Sequence, residues 1–419
     1  MEIFTPKLSL RKTIIFAFIP LIFLSIIVEI VCRITTFYRF SPFQTNIVIQ
    51  GEGRFSNDPT MIWGNTPYYL DYDQRYQYNE YGIKSEPGKI KMPKKKENDF
   101  WIFLFGGSAM AGKGSHRGAG YLKITGVTEH KLSNTIEHHL QDRLQNSFPN
   151  KKVKVFNASV AMHSVAQSNA NYERLRHLKP DWVVSMDGHN QYIPHDIADI
   201  NFRRHYWATM RINTFPIKQL RMIAKHSAFF YLVGEYIYYK SGLLEAPLNT
   251  PADPNEKEFW LKRPMEAPPI TPEILSQAPN ETKVSYNGFI RDLSLFQKEL
   301  ELDGQKHLLL IQPELKMRNL SKMPAVERAV YNLMETLAGE REGIGLKQYL
   351  HTLFPKIHFS SKNIFSMAAA HDWDGWIFVD YCHFSKEANK KISKEIAKFI
   401  ETNGTYHPFP LNIKKPNSF

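Results

Sequence analysis

The chain opens on an apolar block. Twenty residues, TIIFAFIPLIFLSIIVEIVC, lie between Lys12 and Arg33, and Glu29 is their only charge. At ~1.5 Å per residue a helix of this length covers about 30 Å, the thickness of a bilayer core. Pro20 and Ser25 are tolerable inside a lipid helix, and Glu29 sits near the far end, where it reaches the interface. Lys7, Arg11 and Lys12 precede the block while Arg33, Arg39 and Arg54 follow it, so the positive-inside rule favours a cytoplasmic N-terminus by a narrow margin. No small-x-small cleavage site follows, because the sequence runs on as EIVCRITTFYRF. The expectation is an uncleaved single-pass anchor in the cell membrane: residues 1–12 cytoplasmic, 13–33 transmembrane, the remainder extracytoplasmic. A second apolar stretch, FFYLVGEYIYY (229–239), is too short to span and carries Glu235. It reads as a core or groove-lining helix.

Residues 34–98 show little periodicity and are rich in Tyr, Asn, Gly and Pro, which predicts an extended juxtamembrane segment packed on the main domain. A strand–helix rhythm then begins. FWIFLF (100–105) runs into Gly-Gly-Ser and reads as a buried strand entering a turn. Leu132, Ile136, Leu140 and Leu144 recur at helical spacing across a helix predicted over 133–144. KVKVFN (152–157) is a second strand, 167–178 a second helix stopped at Lys179-Pro180, and WVVSM (182–186) a third strand. IRDLSLFQKEL (290–300) is an amphipathic helix, HLLLIQ (307–312) a fourth strand and KIHF (356–359) a candidate fifth. The last helix runs from Ser385, a candidate N-cap, to Ile400, with Ala388, Ile392 and Ile396 on one face. Apolar strands alternating with helices predict a parallel sheet covered on both faces, an α/β/α domain over 99–403. In such sheets ligands bind beyond the carboxyl ends of the strands. An aromatic, Pro-rich insertion at about 195–285 interrupts the rhythm and would lie over that rim as a lid or subdomain; 404–419 is a tail.

Composition adds limits. The 419 residues are 43% hydrophobic and 22% charged, which excludes wholesale disorder. Two cysteines exclude a disulfide scaffold or a Cys-rich zinc module. The formal charge of +12 suits nucleic acid, an anionic membrane face or acidic glycans. The cations are scattered, however, and the densest run (Lys89 to Lys96) reads as a solvated linker. No zinc-finger spacing, RRM signature or basic helix is present, so nucleic acid is not an expected partner.

Chemistry concentrates at three strand or helix edges. The first strand ends in Gly106-Gly107-Ser108, the third in Gly188-His189-Asn190, and IFVDYCHFS places Asp380 and His383 three apart before the last helix. A serine hydroxyl needs a base within hydrogen-bond reach, and the base needs an orienting acid. Ser108, His383 and Asp380 supply these roles. A developing oxyanion needs preorganised donors, which the Asn190 side chain and the Ser108 amide can supply.

These blocks, in this order, resemble the SGNH hydrolases, also called the GDSL-like lipase/esterase family. GGSA (106–109) is similar to the family's nucleophile block, with Gly107 where many members have Asp. GHN (188–190) resembles the block that supplies the oxyanion Asn. DYCH (380–383) resembles the Asp-x-x-His block. FNASVAMHSVAQ (156–167) resembles the second block, where a family glycine completes the oxyanion hole; here Met162 stands at the best-matching position. The segment Asn79 to Ile83, between the apolar span and the Gly-Gly-Ser block, is similar to membrane-anchored members acting on envelope glycans. The resemblance implies the flavodoxin-like SGNH fold. It implies a triad of Ser108, His383 and Asp380, and an oxyanion hole from Ser108, Met162 and Asn190. Gly107, Gly188 and His189 would line the site, with no metal and no cofactor. The implied activity is hydrolysis or transfer of an O-acyl group, acetyl foremost, on a carbohydrate or lipid.

Each residue has a plainer role when taken alone. Ser108 could cap a following helix, and His383 and Asp380 could be a packed pair at a helix start. Cys382 reads as packing. His371, Asp372 and Asp374 form a short metal-like cluster without a distant ligand. Gly107-SAMA-Gly112-Lys113 nearly satisfies the P-loop pattern, but Gly114 stands where Ser or Thr must bind magnesium and Ser115 comes one position late. The second function kept open is a catalytically silent SGNH-like domain that binds envelope glycan or an assembly partner.

Overall fold

The computed structural model describes residues 10–39, 55–58, 61–71, 73–115, 120–191, 280–336 and 363–409, together with 219, 223, 227–230 and 232–233. The first element, α1, spans Leu10–Arg39 and holds Pro20 inside it. Its stretch Phe16–Ile34 has a mean hydropathy of 2.4 and none of it is buried, so by length and composition this helix could cross a membrane. The Ser25 hydroxyl donates back to Leu21 O at 2.8 Å, one turn earlier.

Residues 55–98 are more structured than their composition predicts. β1 (Phe55–Asp58) and β2 (Ile62–Asn65) pair as a hairpin. β3 (Gln77–Tyr78) and β4 (Lys84–Ser85) join the edge of the main sheet antiparallel. The turn between them explains the Asn79 to Ile83 motif. Asn79 Oδ1 accepts from the amides of Tyr81 and Ile83 at 2.9 and 3.1 Å. Gly82 takes a left-handed φ of +69°, and a Cβ there would lie 2.8 Å from Asn65 O.

Seven described strands form one sheet in the order β3-β4-β6-β5-β7-β8-β9. β5 (Asp99–Gly106), β6 (Lys152–Asn157), β7 (Trp182–Asp187), β8 (Lys306–Ile311) and β9 (Ile364–Ser366) run parallel. The parallel part therefore has the chain order 2-1-3-4-5 of a flavodoxin-like doubly wound sheet, with its switch point between β5 and β7. The candidate strand at 356–359 lies outside the described residues; the fifth parallel strand is the three-residue β9.

Period-two alternation sends each central strand's side chains to two cores. Ile102, Leu104, Val184, Met186, Leu308 and Leu310 face one layer. Trp101, Phe103, Phe105, Val183, Leu309 and Ile311 face the other. The first layer is covered by α3 (Ile136–Ser147) and α7 (Lys386–Glu401). The second is covered by α4 (Val165–Leu175) and α5 (Asn280–Leu302). On α7, Ile392, Ile396 and Phe399 are fully buried. Each such side chain contributes roughly 1.5–3 kcal/mol of burial. α2 (Tyr121–Thr125) and α6 (Ala325–Thr336) are the remaining α-helices of the domain among the described residues outside the 195–285 insertion.

Two helix starts moved and one held. The first helix begins at Ile136, after a 3-10 turn over Leu132–Asn134. α5 begins at Asn280, ten residues before its first periodic positions. α7 starts where expected, with Ser385 Oγ accepting from the Ala388 amide at 3.1 Å. Most of the 195–285 insertion lies outside the described residues. Within it, Phe229 and Phe230 are 41% and 37% exposed, which removes the core half of the core-or-groove-lining expectation for 229–239.

Candidate active site

β5 ends in Gly106 with φ of +138°, where a Cβ would approach Met186 O to 2.3 Å. Only glycine lets the backbone turn this closely against β7. The chain then folds into a tight turn rather than a helix, with Ala111 N donating to Gly107 O and Lys113 N to Ser108 O. Ser108 therefore caps no helix. The turn is pinned from behind by buried polar groups. Asn157 Nδ2 donates to Met110 O at 2.8 Å and to Glu137 Oε2 at 2.9 Å, and Lys84 Nζ donates to Ala111 O at 2.9 Å.

The Asp380–His383 loop is closed by a β-bridge between Phe378 and Phe384. Val379 N donates to His383 O at 2.9 Å. Gln312 Nε2, just past β8, donates to Cys382 O at 2.9 Å, and Ser115 Oγ donates to Val379 O at 2.8 Å. Further back, buried Arg318 donates to the carbonyls of His371, Trp373 and Gly375 at 2.7, 2.6 and 2.9 Å and pairs with buried Glu327 at 3.2 Å. Glu327 Oε1 accepts from the Phe378 amide at 2.8 Å. The loop is thus held at both ends by groups that water cannot reach.

These two loops meet at the carboxyl rim, 275 positions apart in sequence. His383 Nε2 lies 2.7 Å from Ser108 Oγ, and His383 Nδ1 lies 2.7 Å from Asp380 Oδ2. Asp380 is fully buried, and Oδ1 accepts from the amides of Cys382 and His383 at 3.0 and 2.8 Å. Burial pushes its carboxyl up. The His383 charge, the ring N–H and the two amides outweigh that and hold it below the ordinary aspartate value. An ionised acid, an imidazole and a hydroxyl thus stand in line, the geometry a proton relay from a hydroxyl requires.

Asn190 follows β7, the strand next to β5 at the switch point. Its Nδ2 donates to His163 O at 2.9 Å, and a Cβ on residue 107 would lie 2.5 Å from that same nitrogen. Gly107 is what lets the amide lie against the turn that carries Ser108. A primary amide carries two donors, so one N–H of Asn190 remains after the His163 contact. Met162 has φ of +67°, a left-handed conformation that favours glycine and that this methionine adopts all the same. Among the described residues, neither the Ser108 nor the Met162 amide donates to a protein acceptor.

Gly188, at φ +127°, turns the chain out of β7. His189 Nδ1 lies 2.6 Å from buried Glu314, and its ring is 5.2 Å from that of Tyr381. Sequence reasoning missed Glu314, the Arg318–Glu327 pair, the Lys84–Glu137–Asn157 set and Asp187. Asp187, the last residue of β7, is buried and accepts from Ser168 Oγ at 2.8 Å and from Ser185 Oγ. Burial pushes its carboxyl up to about 6, against the lowering effect of the two hydroxyls. Its one visible signal was an acid closing an apolar strand.

The residues of the short His371–Asp374 cluster make separate local contacts. His371 Nε2 accepts from the Glu314 amide, Asp372 is held by Asn319 and Asp374 by Lys322. Asp380, Cys382 and His383 place possible ligand atoms within 4.8 Å of one another, but both His383 ring nitrogens are engaged in the chain to Ser108. A separate cleft of about 940 Å³ lies at the amino ends of the strands, lined by Phe100, Trp182 and Lys306, on the opposite rim from Ser108.

Neither a protein-family model nor a curated protein matches the sequence. Among solved structures the chain is similar to a carbohydrate acetylesterase family member from Sinorhizobium meliloti, at 12% identity and a TM-score of 0.33 over 73% of this chain and 100% of that one. It is similar to an acetyl xylan esterase at 11% identity and a TM-score of 0.29, over 72% and 100% of the two chains. It is also similar to an α/β hydrolase enzyme from the metagenome of Lake Arreo, Spain, at 12% identity and a TM-score of 0.31, over 75% and 100%.

Proposed function

We propose that this chain is a membrane-anchored serine hydrolase of the SGNH type that removes or transfers an O-acyl group, acetyl foremost, on a carbohydrate or lipid. One observation carries the reading: the line from Asp380 through His383 to Ser108, with 2.7 Å at each link. Ser108 Oγ attacks the acyl carbonyl carbon while His383 Nε2 takes the hydroxyl proton. The oxyanion formed is received by the Ser108 amide, the remaining Asn190 N–H and the Met162 amide. Collapse breaks the ester C–O bond, and the proton on His383 passes to the departing alcohol. Water, or a sugar hydroxyl in the transferase case, then attacks the acyl-enzyme as His383 takes its proton; the acyl–Ser108 bond breaks, His383 returns the proton to Ser108 Oγ, and the free acid or the new ester leaves. Asp380 stays ionised throughout and stabilises the imidazolium. The apolar helix α1 serves as the anchor, with the catalytic domain outside the cytoplasm.

The test is hydrolysis of short-chain aryl esters and acetylated sugars by the wild-type chain and by His383→Ala. Loss of the base lowers kcat by roughly 10³-fold or more. Equal rates in the two proteins would refute the assignment, and glycan binding without turnover would favour the silent domain.

A further inference from the structure

The span Phe16–Ile34 of α1 contains one acid, Glu29. A carboxylate at such a position is costly in hydrocarbon and persists where it has partners. Arg33, one turn on, donates Nε to Glu29 Oε1 at 2.8 Å. The other partners come from the insertion. Ser227 Oγ donates to Oε2 at 2.8 Å, the Ala228 amide to Oε1 at 2.9 Å and the Phe229 amide to Oε2 at 3.2 Å.

Ser227 begins a helical stretch in which Ala228–Phe230, Leu232 and Val233 are described. A helix start leaves amides that water ordinarily satisfies. Here water is not needed. Ser227 N donates to Ile223 O at 3.2 Å, Ala228 N and Phe229 N end on Glu29, and Phe230 N donates to Ser227 Oγ at 3.3 Å. Four successive amides all end on protein oxygens. Hydrocarbon demands this, because an unsatisfied amide there costs several kcal/mol; a wet surface does not.

The side chains agree. Ile223, Phe229 and Phe230 are 44%, 41% and 37% exposed, beside an apolar helix that is itself exposed. The sequence continues as FFYLVGEYIYY, with four tyrosines of the kind that gather at membrane interfaces. Glu29 lies five residues before Ile34, the end of the span. At ~1.5 Å per residue this sets the contact about 7 Å inside the apolar edge.

We propose that the segment around Ser227–Val233 is a second membrane-embedded element. It dips into the domain-side leaflet beside α1, with Glu29 capping its helix start and lipid acyl chains covering Ile223, Phe229 and Phe230. The proposal rests on the anchor reading of α1. Both flanks of the insertion, β7 and α5, belong to the same α/β domain, so the segment enters and leaves on one side and does not cross.

The test uses the full chain with Cys32→Ser, reconstituted in phosphatidylcholine–phosphatidylglycerol vesicles; Cys382 is buried and stays in place. Spin labels are attached at Phe23→Cys, Phe230→Cys and Leu302→Cys, the last a domain position that is 78% exposed. Collisions with oxygen and with a water-soluble nickel chelate give each label's depth. The labels at 23 and 230 collide mainly with oxygen, the label at 230 reads about 7 Å below the apolar edge, and the label at 302 reads as aqueous. Glu29→Ala raises nickel collisions at 230 severalfold without moving the label at 23. A label at 230 as aqueous as that at 302, with 23 still in lipid, overturns this inference and leaves the anchor standing. Nickel access at 23 as well overturns the anchor and the inference together. A label at 230 shielded from both reagents overturns lipid as the occupant in favour of protein, such as a second copy.

Discussion

Asp187 is a buried carboxyl without a countercharge in the site, and it makes a quantitative test. It closes β7 immediately before Gly188, His189 and Asn190, and its partners are two serine hydroxyls, Ser168 and Ser185. Burial raises its carboxyl from 3.8 to about 6. A folded value above the unfolded one means that the native state favours the protonated form. The associated stability is fully present below pH 3.8 and is lost as pH rises through 6. At about 1.36 kcal/mol per unit, the shift amounts to about 3 kcal/mol of penalty carried by the wild type at pH 8. Asp187→Asn keeps the shape and the hydroxyl contacts and cannot ionise. The variant and the wild type should therefore unfold alike near pH 4. By pH 8 the variant should be more stable by about 3 kcal/mol, or about 6 °C in Tm for a domain this large. Thermal unfolding of both proteins across pH 4–8 is the assay. A difference that does not grow with pH, or a variant less stable at pH 8, would refute the assignment of an unpaired buried carboxyl.

Gly107→Ala puts a methyl 2.5 Å from Asn190 Nδ2 and drives that amide out of the site. The expected loss is about 10²-fold or more in kcat on aryl esters with little change in Tm; unchanged kcat would remove Asn190 from the oxyanion hole. Met162→Gly relieves a left-handed methionine at φ +67° and should stabilise the fold by up to about 1 kcal/mol, read as a higher Tm, after glycine's greater freedom in the unfolded chain is set against it. A lower Tm would mean that the side chain contributes more than the strain costs. Arg318→Met leaves Glu327 buried without its partner and frees the loop carrying Asp380 and His383. It should destabilise by roughly 3–5 kcal/mol, measured by denaturant unfolding, and a loss under 1 kcal/mol would contradict a loop held by this pair.

β5, β6 and β7 were legible because each is an apolar run buried inside a parallel sheet and ended by a polar or glycine turn; KVKVFN was bounded to the residue. α5 was read late, because its first two turns, NETKVSYN, are polar and show no periodicity. β3 and β4, of two residues each, and the three-residue β9 gave no pattern long enough to read; each exists by pairing with a sheet edge already in place. Ser108, Asn190, Asp380 and His383 stood out because the ends of apolar strands and the start of the last helix are where a doubly wound sheet exposes chemistry. Their supports did not. Lys84, Glu137 and Asn157 act on the Ser108 turn from three separate elements, and Arg318 reaches carbonyls more than 50 residues away. Such contacts are set by packing, which leaves no local spacing to read. Met162 shows the converse: the sequence departs from glycine there, yet the backbone keeps the conformation glycine would favour.

The central claim is that Ser108 is a nucleophile activated by His383. Reaction of the full-length chain with a fluorophosphonate serine probe, followed by peptide mapping, tests it most directly. The account predicts one adduct on Ser108, absent from Ser108→Ala, retained by Ser115→Ala and formed far more slowly by His383→Ala. An unmodified Ser108, or a label that survives Ser108→Ala, would contradict it.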